Sequence, residues 1–134
     1  MTMASSSTGT LRILYVEDND DLRETIGMLL ESDEREVTTV PNAEAALAAW
    51  QPGRFDVLVT DVSLPGISGT ALAREVLATE PQQWVVLCSG YGFGQEIGAL
   101  GPNVRALPKP FELDELEVLM DEIVAATRRG SDTA

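Results

Sequence analysis

The chain has 134 residues, enough for one domain that buries roughly two-thirds of its unfolded surface. Hydrophobic residues at 44% and charged residues at 23% fit a globular protein rather than a disordered one. Nine basic against 22 acidic residues leave a net charge of −13, which repels phosphate backbones and anionic lipid, and the absence of histidine excludes Ser-His-Asp and Cys-His catalysis and any imidazole zinc site.

Residues 1–10 are rich in Ser, Thr, Gly and Ala and read as a disordered leader. They have neither the basic start nor the apolar stretch of a secretory signal. Leu11–Val16 reads as the first strand, ending in Glu17-Asp18. Asp20 and Asp21 favour a helix start, and Leu22, Ile26 and Leu29 follow at helical spacing before the polar run from Glu31 to Glu36. Val37–Val40 is a short β-branched strand closed by Pro41. Asn42 is a good N-cap for an Ala-rich helix over Ala43–Trp50, which Pro52-Gly53 ends.

Val57–Thr60 is a continuous apolar and β-branched run, the pattern of a strand buried on both faces. It stops at Asp61. An acid there is costly to desolvate unless something uses its charge. Pro65-Gly66 and Ser68-Gly69 lead into a third helix with Leu72, Val76 and Leu77 on its apolar face. Trp84–Cys88 is the fourth strand, followed by Ser89-Gly90-Tyr91-Gly92-Phe93-Gly94. A short fourth helix is expected around Gln95–Leu100, then a fifth strand over Val104–Leu107 that runs into Pro108-Lys109-Pro110-Phe111. The last helix, Leu113–Arg128, sets Leu113, Leu116, Met120, Ile123, Val124 and Thr127 on one face. Residues 11–129 thus form the expected domain, with 130–134 as a tail. No apolar run approaches the roughly 20 residues that span a bilayer. Cys88, the single cysteine, has no internal disulfide partner, and in its apolar strand it reads as a packed core thiol. A cytoplasmic location is expected.

Five strands alternating with five helices give an α/β fold: a five-stranded parallel sheet, doubly wound with helices on both faces. Right-handed crossovers gather the strands' carboxyl ends along one edge. Glu17-Asp18, Asp61, Ser89 and Lys109 all fall there. Carboxylates a few ångströms apart repel by about 4 kcal/mol per close pair at an effective dielectric near 20, so the cluster must hold a proton, a lysine or a metal. Oxygen ligands without His or Cys point to a hard cation, Mg2+ above all, and hence to phosphoryl chemistry. Alone, Asp61 would read as a turn former; with its companions that reading fails. Glycines 90, 92 and 94 miss the G-x-G-x-x-G spacing, and no G-K-[ST] occurs, so a P-loop is excluded.

The order of these motifs resembles the receiver domain of bacterial two-component response regulators. The shared features are the acidic pair after Ile13–Val16, Asp61 with Pro65 and Gly69 behind it, Ser89-Gly90, and Lys109-Pro110-Phe111. The resemblance implies a flavodoxin-like fold with strand order 2-1-3-4-5 and Asp61 as phosphoacceptor. It further implies a Mg2+ site of Glu17, Asp18, Asp61 and the Ser63 backbone carbonyl, with Lys109 and Ser89 on the phosphoryl oxygens. The implied donor is phosphohistidine on a sensor histidine kinase or a histidine phosphotransfer protein. The chain is then a switch rather than a turnover enzyme, a single-domain regulator or the receiver of a hybrid sensor kinase, with a homodimer as one possible state. Ser63 and Tyr91 stand where the family tunes phosphoryl lifetime. Arg23, Gly27 and Leu30 on the first helix are the expected docking stripe. The family's inward-swinging aromatic three residues before the lysine is replaced by Ala106, so signal output is expected to run through Gly92–Gly101. A phosphorylation-independent interaction module and a Mg2+-dependent phosphatase are the alternatives; the acid cluster argues against the first and the chain's small size against the second.

Overall fold

The computed structural model describes residues 10–90, 100–109 and 111–133, with side chains as far as Thr127. The elements in chain order are β1 (Leu11–Val16), α1 (Asp20–Leu30), β2 (Arg35–Val40), α2 (Ala43–Ala49), β3 (Val57–Asp61), α3 (Gly69–Thr79), β4 (Trp84–Ser89), β5 (Val104–Pro108) and α4 (Leu113–Thr133). The strands form one sheet, all parallel, in the order β2-β1-β3-β4-β5. The expected helix around Gln95–Leu100 lies outside the described residues, apart from Leu100, as does the leader before Thr10.

Alternation along the strands divides the core. Ile13, Tyr15, Val57, Val59, Val86, Cys88 and Leu107 pack beneath Ile26 and Leu30 of α1 and Leu116, Met120 and Ile123 of α4. Leu14, Val16, Leu58, Val85 and Leu87 face the opposite way, onto Ala43 and Ala46 of α2 and Leu72, Ala73, Val76 and Leu77 of α3. Every residue of β3 and β4 is buried, as two-sided coverage of central parallel strands requires. Side-chain oxygens cap three helices: Asn19 accepts from Leu22 N, Asn42 from Ala45 N and Ser68 from Ala71 N.

Four local expectations change. β2 begins at Arg35, inside the expected polar run, because the Arg35 guanidinium bonds Glu117 of α4 at 3.0 Å and so tolerates partial burial. In α1 the inward residue is Leu30, fully buried, whereas Leu29 is 41% exposed. Leu113 is exposed at the start of α4 instead of joining its buried face. That helix also runs on past Arg128 to Thr133. Among the described residues no helix is long and apolar enough to cross a membrane.

Candidate functional site

Three backbone bonds carry the sheet's order beyond the strand ends. Glu17 N donates to Val40 O at 3.1 Å, Val62 N to Cys88 O at 2.9 Å and Lys109 N to Ser89 O at 2.7 Å. The residues after β1, β3 and β5 are therefore placed as firmly as the strands themselves. Continuing the alternation puts Glu17, Asp61 and Lys109 on the α1/α4 side of the carboxyl edge, where ligands of open α/β sheets bind.

The side chains meet there. Carboxylate oxygens of Glu17, Asp18 and Asp61 lie within 4.8 Å of one another. Glu17 and Asp61 are 2% and 8% exposed, and Asp18 is open to solvent. Lys109 Nζ bridges the two buried acids, 3.3 Å from Glu17 Oε1 and 3.2 Å from Asp61 Oδ2. Burial pulls the Lys109 pKa down, but the hydrogen bond and charge of Asp61, then those of Glu17, outweigh it and hold the ammonium above its ordinary value. Ser89 is buried at the end of β4. Ser63 is exposed, two residues past Asp61. Tyr91 and most of the segment from Gly92 to Gly101 lie outside the described residues; Ala106 is exposed on the edge strand β5.

The donor set fits magnesium. Three carboxylates and one ammonium leave a charge of minus two, which one divalent ion neutralises. An octahedral ion with oxygens at about 2.1 Å brings opposite ligands to about 4.2 Å, slightly inside the observed spread.

Several supports were not apparent in the sequence. Asn19 N donates to Glu17 Oε2 at 3.1 Å, so the same residue that caps α1 also anchors the first acid. Thr60 Oγ1 donates to the Asp61 carbonyl at 3.0 Å. Gly69 N donates to Val62 O, and a Cβ on Gly69 would stand only 2.0 Å from the Asp61 carbonyl oxygen. The glycine signal was visible in the sequence; the close approach it permits was not.

The docking stripe expected on α1 is corrected. Leu30 is fully buried, and Gly27 packs against β2, where an added Cβ would come 3.1 Å from Thr39 Cγ2. Arg23 turns toward the site, donating to the Glu17 carbonyl at 2.9 Å and to Asp20 Oδ1 at 2.8 Å. The outward face of α1 carries Asp21, Glu24, Thr25, Met28 and Leu29.

Comparison with known proteins agrees with this geometry. Residues 13–121 match the family model of the response regulator receiver domain, and the chain belongs to that family. It is therefore a receiver domain of two-component signalling. It is 34% identical to the virulence sensor protein BvgS of Bordetella pertussis, covering 87% of this chain and 10% of BvgS. It is 29% identical to the response regulator receiver protein CpdR of Brucella abortus, covering 86% of this chain and 98% of CpdR. Among solved structures, the non-phosphorylated HemR receiver domain of Leptospira biflexa superposes with a TM-score of 0.78 at 30% identity, covering 86% of this chain and 94% of that one. The response regulator TrrA of Thermotoga maritima, solved with Mg2+ and beryllium fluoride, gives a TM-score of 0.75 at 27% identity, covering 85% and 99%. The chain thus spans about a tenth of the first curated relatives it matches.

Proposed function

We propose that Asp61 accepts a phosphoryl group from phosphohistidine on a sensor histidine kinase or a histidine phosphotransfer protein, in a Mg2+-dependent reaction. The observation that carries this reading is the Lys109 ammonium 3.2 Å from Asp61 Oδ2, beside two further carboxylates at the carboxyl edge of the sheet. A pure scaffold gains nothing from burying those charges.

In the reaction a carboxylate oxygen of Asp61 attacks phosphorus in line with the leaving imidazole. The P–N bond breaks as the P–O bond of an acyl phosphate forms, and the imidazole leaves with its electron pair and takes a proton from solvent. Lys109 turns its ammonium from the acids to a phosphoryl oxygen, and the Ser89 hydroxyl donates to another. Glu17, Asp18, Asp61 and the Ser63 backbone carbonyl would hold Mg2+, which supplies charge neutralisation at the transferring group. Hydrolysis later restores the carboxylate and releases inorganic phosphate. Ser63 and Tyr91 are the proposed controls on that step. The chemistry is the same for a stand-alone regulator and for the receiver of a longer hybrid sensor.

Intact mass after incubation with Mg2+ and a small phosphodonor tests the reading. One labile phosphoryl is expected on the wild type, and none on Asp61→Asn or with excess chelator. No adduct on the wild type supports a phosphorylation-independent module instead; rapid steady donor hydrolysis supports a phosphatase.

A further inference from the structure

Arg23 reaches the site through one contact that helix formation does not require, to the backbone of Glu17, beside an ordinary i,i+3 ion pair with Asp20 on its own helix. It lies on α1, and its side chain is only partly exposed, at 22%. One nitrogen donates to the backbone carbonyl of Glu17, at the point where the acidic pair leaves β1, and the other donates to Asp20. Glu17 is fixed at four points: its N–H by Val40 O, its carbonyl by Arg23, Oε2 by Asn19 N and Oε1 by Lys109. The carbonyl contact is the one that sets the peptide between Glu17 and Asp18, and therefore the direction in which Asp18 leaves the chain.

We propose that Arg23 is a positioning residue for the cation site, bracing the Glu17–Asp18 peptide so that both carboxylates converge on one ion. The inference rests on the reading of Glu17 and Asp18 as Mg2+ ligands. It makes a prediction opposite in sign to simple electrostatics. Removing a positive charge beside an acid cluster should tighten the binding of a cation. Removing a brace should weaken it, and losing the partner that orients a metal ligand commonly costs 10- to 100-fold in affinity. Lysine keeps the charge but lacks the planar fork that reaches two acceptors at once.

The test is Mg2+ titration of the full chain by calorimetry, with phosphoryl adduct formation from a small phosphodonor followed against Mg2+ concentration. Arg23→Met should raise the half-saturating Mg2+ by about tenfold, leave the adduct plateau at saturating Mg2+ near the wild-type level, and melt cooperatively. Arg23→Lys should fall between the two, and it decides the matter alone if Arg23→Met does not fold. Unchanged or tighter Mg2+ binding in whichever variant folds overturns the inference, as does a defect seen only with a phosphohistidine protein as donor, which would mark Arg23 as a docking residue. Wild-type chain that takes neither Mg2+ nor phosphoryl overturns the underlying reading instead, which separates the two failures.

Discussion

Lys109 Nζ lies 3.2 Å from Asp61 Oδ2, and the same ammonium reaches Glu17, so one cation holds together two acids that are almost wholly buried. The lysine occupies the electrostatic role that a metal ion would share. Replacing it by Met leaves those acids without a fixed positive charge. Lys109→Met should destabilise the metal-free protein by about 1–3 kcal/mol, the cost of a buried acceptor losing its partner. Added Mg2+ should recover more stability in the variant than in the wild type, since a ligand stabilises the folded state it binds. Thermal melts with and without Mg2+ read this directly; equal Mg2+ shifts in the two proteins would contradict it.

Gly69 allows the β3–α3 loop to return onto the backbone of Asp61. A methyl group there would sit 2.0 Å from the Asp61 carbonyl oxygen and 2.8 Å from its carbon, so backbone has to move. Gly69→Ala should cost at least the 1–3 kcal/mol typical of overpacking, and should cut adduct formation in the protein that remains folded. Gly53 is the control. It has a φ of 82° and nothing within 4 Å, so Gly53→Ala should cost about 1–2 kcal/mol in stability and leave phosphorylation unchanged. Denaturant melts and adduct mass measure both.

α1 offers a contrast between opposite faces of one helical turn. Leu30 is fully buried against the core beneath α1 and α4, while Met28 is 70% exposed. Leu30→Ala should cost about 2–5 kcal/mol, the usual range for a core truncation, and Met28→Ala less than about 0.5 kcal/mol. Equal effects in denaturant unfolding would contradict the packing of this helix.

Cys88 lies in β4 with its thiol pushed up to about 12 by burial, an effect the Lys109 charge opposes and those of Asp61 and Glu17 reinforce. The thiol ionises in the unfolded chain near its ordinary value of 9 while the folded protein keeps its proton. Between those values the unfolded state binds fewer protons, so this group's contribution to stability falls as pH rises, by up to about 1.4 kcal/mol per pH unit. Cys88→Ala should therefore show a shallower alkaline loss than the wild type. Thiol labelling at neutral pH should be negligible until the protein unfolds.

The fold was legible because its signals are local. Val57–Thr60 and Trp84–Cys88 are unbroken apolar runs, and Asn42 stands where a cap belongs. The acids of the site were legible because strand ends in a parallel sheet share one edge. What escaped depends on distant partners. Arg35 looks like part of a polar loop until Glu117, 82 residues away, binds it. Leu29 and Leu30 differ by only 100° around α1, and it is Leu30 that packs into the core with distant strands and α4. Arg23 shares a stripe with Gly27 and Leu30, which are buried, and its long side chain reaches back to the carbonyl of Glu17. Helical spacing locates a Cβ, not the end of an arginine.

The central claim is that Asp61, and no other acid of the cluster, carries the phosphoryl group. Borohydride reduction of the freshly phosphorylated wild-type protein converts an acyl-phosphate aspartate into homoserine, which peptide mass spectrometry places in the sequence. The modification should map to position 61 alone and require Mg2+ during phosphorylation. Reduction product at Glu17 or Asp18, or its absence in protein shown by intact mass to carry phosphate, would contradict the account.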